Sequence, residues 1–223
     1  MEMLLEKPEA MIFDMDGTLL RTETLVLTAY RRTFDQLRKE GLYTGETPPE
    51  QRILGCLGML LDEVWRVVIP DSDEAVRQRA NELLLQYQIE DLKQGGGELY
   101  PGVPDTLRKL HERGIRLFVA SNGLEDYIKS IIRYKGLAPY FEGLYSAGEY
   151  RTSTKAELVG LLLSRHGLRR AWMVGDRSSD VEAGIRNGLP VIGCGYAGFA
   201  AGGELKGATR IIRSFPELLE LTD

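Results

Sequence analysis

The chain has 223 residues, with 28 Lys and Arg against 33 Asp and Glu, a formal charge of −5 that gives no electrostatic reason to expect DNA or RNA as a partner. Hydrophobic residues at 43% and charged residues at 27% fit a globular chain and exclude a disordered one, and no apolar run approaches the ~20 residues of a membrane span. Two cysteines, Cys56 and Cys194, are too few for a disulfide framework, and Met1–Glu9 lacks the basic flank of a signal peptide. A cytoplasmic protein is expected, built as one ordinary domain with a smaller inserted one and present as a monomer or homodimer.

In chain order, Ala10–Phe13 is a short apolar run that stops at Asp14, as a buried parallel strand does. From Arg21 to Gln94 the chain is rich in helix formers. Leu83, Leu84, Tyr87 and Leu92 fit one helical face, and Thr47-Pro48-Pro49 interrupts the pattern, so three or four helices are expected. Gly95-Gly96-Gly97 follows as a flexible joint.

Beyond the glycines, helices and strands alternate. Helices are expected at Pro104–Arg113, Glu125–Tyr134, Lys155–His166, Asp180–Asn187 and from Phe215 onward. Strands are expected at Ile115–Ala120, Gly143–Ser146, Ala171–Val174, Pro190–Gly193 and Thr209–Ile212. This alternation implies βαβ units on a parallel sheet. The architecture is therefore an α/β, Rossmann-like core of residues 1–20 and 95–223, with an α-helical domain of residues 21–94 inserted after the first strand.

Ligands of open parallel sheets bind outside the carboxyl ends of the strands. Asp14-Met15-Asp16-Gly17-Thr18 follows the first strand, Ser121-Asn122-Gly123 the second, and Gly175-Asp176 a later one, with Asp180 a turn further on. The order of strands in the sheet is not derivable from this pattern, but these ends share one edge. Two aspartates one residue apart at a buried strand end repel each other unless a positive charge intervenes. Oxygen donors favour Mg²⁺, with Asp14 and Asp176 offering side-chain oxygens and Asp16 its backbone carbonyl. One Asp14 oxygen remains to attack phosphorus, Asp16 is placed for general acid and base work, and Ser121, Asn122 and a lysine supply the transferred group with donors and charge.

These residues carry a family resemblance. Asp14-Met15-Asp16-Gly17-Thr18-Leu19-Leu20 resembles the first signature of the haloacid dehalogenase superfamily of phosphohydrolases. Ser121 is similar to its second motif, Lys155 opening a helix to its third, and Gly175–Gly184 to its fourth. The inserted helices resemble the cap of the phosphoglycolate-phosphatase-like branch. The resemblance implies Asp14 as nucleophile and Asp16 as acid/base. It implies Lys155 against the phosphoaspartyl charge, Ser121 and Asn122 on the phosphoryl oxygens, Asp176 on Mg²⁺, and Asp180 and Thr18 as residues that orient the metal site. The cap loop facing the site falls near Leu54–Trp65, where Arg52, Gly58 and Met59 are candidates for contact with the leaving group. Ala156-Glu157 after the lysine and Arg177 after Gly-Asp depart from many relatives and weaken a specific phosphoglycolate assignment.

The expected activity is Mg²⁺-dependent hydrolysis of a small phosphorylated metabolite, such as phosphoglycolate, a nucleoside monophosphate or a sugar phosphate, through a phosphoaspartate. A phosphomutase of the same superfamily and a phosphoaspartate-forming regulatory module are the alternatives. A dehalogenase has no need of Asp16. A phosphonatase needs a cap lysine in an apolar setting, which neither Lys39 nor Lys93 has. Plainer roles exist for several residues. Ser121 and Asn122 also suit an ordinary turn, and Asp176 and Asp180 suit a helix N-terminus. His111, His166, Arg31-Arg32 and Arg169-Arg170 are expected to face solvent, and Cys56 and Cys194 to be buried.

Overall fold

The computed structural model describes residues 5–59, 61–197 and 202–223, so the first four residues of the Met1–Glu9 segment lie outside it. In chain order, β1 (Ala10–Phe13) and β2 (Leu20–Arg21) lead into four helices, α1 (Glu23–Lys39), α2 (Glu50–Gly55), α3 (Leu61–Val68) and α4 (Glu74–Lys93). β3 (Glu98–Leu99), α5 (Val103–Glu112), β4 (Arg116–Ser121), α6 (Glu125–Tyr134), β5 (Phe141–Ser146) and the single-turn α7 (Ala147–Tyr150) follow. The chain then runs through α8 (Lys155–His166), β6 (Ala171–Gly175), α9 (Ser178–Arg186), β7 (Val191–Cys194), β8 (Arg210–Ile212) and α10 (Glu217–Glu220).

Six strands form one sheet in the order β5-β4-β1-β6-β7-β8, and every adjacent pair is parallel. β1 lies between β4 and β6, in register Phe13↔Val119 on one side and Phe13↔Val174 on the other. Connections leave the sheet in opposite directions on either side of β1, which makes its carboxyl end the switch point where α/β sheets open a crevice. Alternation along β1 feeds both faces. Met11 and Phe13 pack with Leu107, Ile128 and Phe215, whereas Ala10 and Ile12 pack with Leu158, Leu162 and Val181. All four β1 residues are buried, which accounts for the unbroken apolar run.

The insert between β2 and β3 is helical and has its own apolar cluster, in which Tyr30, Phe34, Trp65 and Leu83 meet. The Trp65 ring stacks on Tyr30 at 6.5 Å, and Asp73 caps α4 by accepting from the Val76 N–H at 2.9 Å. Arg32, expected to face solvent, instead ties α1 to α4. It pairs with Glu90 (2.5 Å) and Asp91 (2.7 Å) and lies over the Tyr87 ring at 4.0 Å.

The insert joins the sheet through the antiparallel pair Leu20↔Leu99 and Arg21↔Glu98. Gly95–Gly97 is a tied turn rather than a loose joint, since Lys135 donates to the Gly96 carbonyl (2.7 Å) and the Gly96 N–H to Asp91 (2.8 Å). His166 also departs from expectation. Its ring packs 4.5 Å from Phe118 and its Nε2 lies 2.9 Å from the Tyr145 hydroxyl, whereas His111 is exposed. Arg31, Arg169 and Arg170 are exposed, and both cysteines are buried. Among the described residues, no helix is long and apolar enough to cross a membrane.

Gly184 on α9 packs closely against the sheet. A Cβ there would lie 2.2 Å from Val191 Cγ2 on β7. In an open helix, Gly→Ala gains about 1 kcal/mol, but forced overpacking costs about 1–3 kcal/mol. Gly184→Ala should therefore lower the urea midpoint at equilibrium, where helix propensity alone would raise it.

Candidate active site

Asp14 is the first residue beyond β1. Its N–H donates to the Val174 carbonyl at 2.9 Å, so the loop leaves the sheet with the carboxyl at the switch point. The turn that follows is tight. Gly17 adopts φ +76°, and a Cβ there would sit 2.3 Å from Asp176 Oδ2, so only glycine lets this loop approach the loop after β6. Asp176 and Asp180 have no exposed surface and Asp14 has almost none. Carboxylate oxygens of the three lie within 4.8 Å of one another.

Three buried carboxylates this close cannot all be charged without compensation. Lys155 provides it from the first residue of α8. A cation is disfavoured at a helix N-terminus unless an anion faces it, and here the ammonium lies 2.9 Å from Asp14 Oδ1 and 2.6 Å from Asp180 Oδ1. Burial opposes the Lys155 charge, but these two carboxylates outweigh it and raise its pKa. Asp180 Oδ2 accepts from the Arg177 N–H at 2.9 Å, so both of its oxygens are engaged. Asp176 Oδ1 accepts from the Thr18 hydroxyl at 3.2 Å, and the Thr18 carbonyl in turn accepts from Tyr196 at 2.8 Å.

Two buried oxygens are left over. Among the described residues, Asp14 Oδ2 and Asp176 Oδ2 have no hydrogen-bond partner, and Arg177 Nε stands 3.7 Å from the latter. Orphaned carboxylate oxygens in a buried all-oxygen cluster fit a hard divalent cation. Without such an ion, burial pushes Asp176 up to about 8, reinforced by Asp180 and Asp14, and pushes Asp180 up to about 6. Asp14 is raised as well, by burial against the pull of Lys155.

The Asp16 carboxyl is not in this cluster. Its Oδ1 accepts from the Thr22 hydroxyl (2.7 Å) and from the Tyr127 hydroxyl (2.6 Å), while burial raises its pKa. Both bonds fall on Oδ1. Thr22 and Tyr127 were not singled out from sequence.

Ser121 ends β4 and is buried, its oxygen accepting from the Gly123 N–H at 3.1 Å. The Asn122 side chain crosses to the insert, where its amide donates to the Gly58 carbonyl at 2.8 Å. Gly58 has φ +88°, and the Arg177 side chain lies under it, with Cγ 3.2 Å from where a Cβ would be. A cavity separates the insert from the strand ends. Asp14, Asp16, Ser121, Asn122 and Tyr127 line it from the core, and Gly58 and Met59 from the insert. Arg52 does not line it. Its guanidinium donates to the Val68 carbonyl at 3.3 Å, because α2 turns that residue toward α3.

The model of the haloacid dehalogenase-like hydrolase family matches residues 11–194, and the chain belongs to that family. The pyrophosphatase PpaX of Listeria monocytogenes is 26% identical over 181 residues, covering 80% of this chain and 79% of its own. CbbY from Rhodobacter sphaeroides, in complex with xylulose-(1,5)-bisphosphate, superposes with a TM-score of 0.81 at 24% identity, over 97% of this chain and 99% of its own. A predicted phosphoglycolate phosphatase from Haemophilus somnus gives 0.81 at 20%, over 98% of this chain and 100% of its own. These two structures share the fold, and the α/β core expected from the alternating pattern is borne out.

The carboxylate cluster has a consequence for stability. A carboxyl raised from its ordinary 3.8 to about 8 binds a proton in the folded chain that the unfolded chain has released. Stability is therefore lost as pH rises from about 4 to 8. In EDTA, the urea midpoint should fall across this window, and fall less in Asp176→Asn. Added magnesium should raise the midpoint more at pH 8 than at pH 5.

Proposed function

We propose that this protein hydrolyses a small phosphomonoester through a phosphoaspartate on Asp14, with Mg²⁺ as its metal. The expectation of a phosphatase is borne out at the level of class by the family and by its phosphatase relatives. The observation that carries the finer reading is the pair of Asp14 oxygens. Oδ1 is neutralised by Lys155, while Oδ2 is buried and without a hydrogen-bond partner among the described residues, on a residue that lines the cavity.

Asp14 Oδ2 and Asp176 Oδ2 would hold the metal, with the Asp16 carbonyl as the third protein ligand expected from sequence. When bound, Mg²⁺ supplies positive charge to the phosphoryl oxygens and to the ionised carboxylates. The chain's own groups do the rest. A carboxylate oxygen of Asp14 attacks phosphorus as the ester P–O bond breaks. Asp16, in its protonated form, gives a proton to the leaving oxygen. Water then attacks the phosphoaspartate with Asp16 as base, which releases phosphate and restores Asp14. Lys155 faces the Asp14 oxygen on which charge changes, and Ser121 and the Asn122 backbone stand at the strand end where phosphoryl oxygens need donors.

Residues 21–94 act as a cap over this chemistry. The Asn122–Gly58 hydrogen bond holds the cap loop against the core, and the β2–β3 pair with the Gly95–Gly97 turn is the pivot. Closure excludes bulk water during attack, and opening releases product.

Asp14→Asn should retain the fold by circular dichroism and lose at least about 10³-fold in hydrolysis of p-nitrophenyl phosphate, since it lacks the nucleophile. Turnover by that variant at the wild-type rate would defeat the proposal.

A further inference from the structure

The cavity is asymmetric in its chemistry. Its floor carries Asp14, Asp16 and Ser121, whereas the insert supplies Val26, Ile53, Val64, Leu84 and Leu85. Among the described residues, no charged side chain of the insert lines it. Two neutral amides interrupt this apolar wall, Asn81 and Gln88, both on α4 one face apart by seven residues. Asn81 Oδ1 accepts from the Trp65 indole N–H at 3.2 Å, which leaves its NH₂ over. The Gln88 side chain, 7% exposed, has no hydrogen-bond partner among the described residues and lines the cavity. Arg177, whose side chain lies under Gly58, is engaged on the core side by Asp176 and by Glu204 at 3.5 Å.

An amide that lines the cavity without a partner in the protein is open to a neutral hydrogen-bonding group of a ligand, and an apolar wall penalises an ionised group that it cannot pair. We infer that the cap pocket selects phosphomonoesters whose body is apolar and uncharged, carrying at most a neutral hydrogen-bonding group that pairs with Gln88 and the Asn81 NH₂. Esters with a second anionic group, whether carboxylate or phosphate, are rejected, because the insert offers no cation to replace the water that the group loses. The inference rests on the phosphatase reading for the placement of the phosphate at Asp14. It goes beyond that reading by assigning the rest of the substrate to the cap wall.

The test uses the wild-type chain with magnesium and n-alkyl phosphates from ethyl to hexyl, together with the matched pair 6-hydroxyhexyl phosphate and 6-phosphonooxyhexanoate. kcat/KM should rise about fourfold per added methylene, the factor that burying one CH₂ supplies. The hydroxyl-ended ester should exceed the carboxylate-ended one by at least about 100-fold. Gln88→Lys, which places a cation on the wall, should narrow that gap at least about tenfold. A flat alkyl series, or a carboxylate-ended ester that matches or exceeds its partner, overturns the inference.

Binding of the corresponding n-alkylphosphonates by calorimetry reads the pocket without turnover. If no ester is hydrolysed yet affinity climbs with chain length, the phosphatase reading falls and the pocket assignment stands. Affinity that ignores chain length overturns the assignment whatever the turnover.

Discussion

One buried ammonium organises the catalytic edge of this molecule. Lys155 lies between Asp14, which follows β1, and Asp180 in the first turn of α9. It thereby ties three separate stretches of chain at the carboxyl edge of the sheet. Taking ions out of water costs several kcal/mol each after relaxation, and the cost is offset only when geometry and extra hydrogen bonds are good. The supporting bonds are present, since Asp180 takes the Arg177 N–H and Asp176 takes the Thr18 hydroxyl. The compensation is nonetheless incomplete. Lys155 pairs with two of the three carboxylates, Arg177 Nε stands 3.7 Å from the third, and Asp14 Oδ2 and Asp176 Oδ2 keep no hydrogen-bond partner among the described residues. That deficit fits a divalent cation, as the proposed function requires.

Asp16, two residues from Asp14, lives in a different environment. Thr22 and Tyr127 both donate to a single oxygen, and burial favours the protonated form. Neighbouring carboxyls thus differ in their partners, one paired with a cation and the other held by two hydroxyls, a difference that suits the proposed nucleophile and acid. Thr22 stands between β2 and α1, at the entry to the insert, and Tyr127 stands on α6 of the core. The acid is therefore held from both sides of the cavity, so the geometry of Asp16 is coupled to the seating of the insert. Asn122 and Gly58 make a second such link at the mouth.

Much of this arrangement was legible in sequence, for physical reasons that can be named. Buried parallel strands read as unbroken apolar runs, and β1, β4 and β6 begin and end within about a residue or two of where those runs do. Chemistry-bearing residues sit where the runs stop, so Asp14, Ser121 and Asp176 stood out. Lys155 stood out because a cation opening a helix is out of place without an anion. What was not legible depends on tertiary direction. Periodicity gives the face of a helix but not its neighbour, so Arg52 was assigned toward the substrate when α2 turns it toward α3, and Arg32 and His166 were assigned to solvent when each is clamped against aromatic rings. Tyr127 was hidden for another reason. Its ring belongs to the apolar cluster, and only the hydroxyl at its tip reaches Asp16. The four residues of α7 are too few for any period to show.

The central claim is that the oxygens left over by Lys155 share a cation. Crystals soaked in manganese and measured at an energy where its anomalous signal is strong test this directly. The account predicts one anomalous peak within bonding distance of both Asp14 Oδ2 and Asp176 Oδ2, with Lys155 still against Asp14 Oδ1. A peak bonded to only one of these carboxylates, or none at this edge of the sheet, would contradict it.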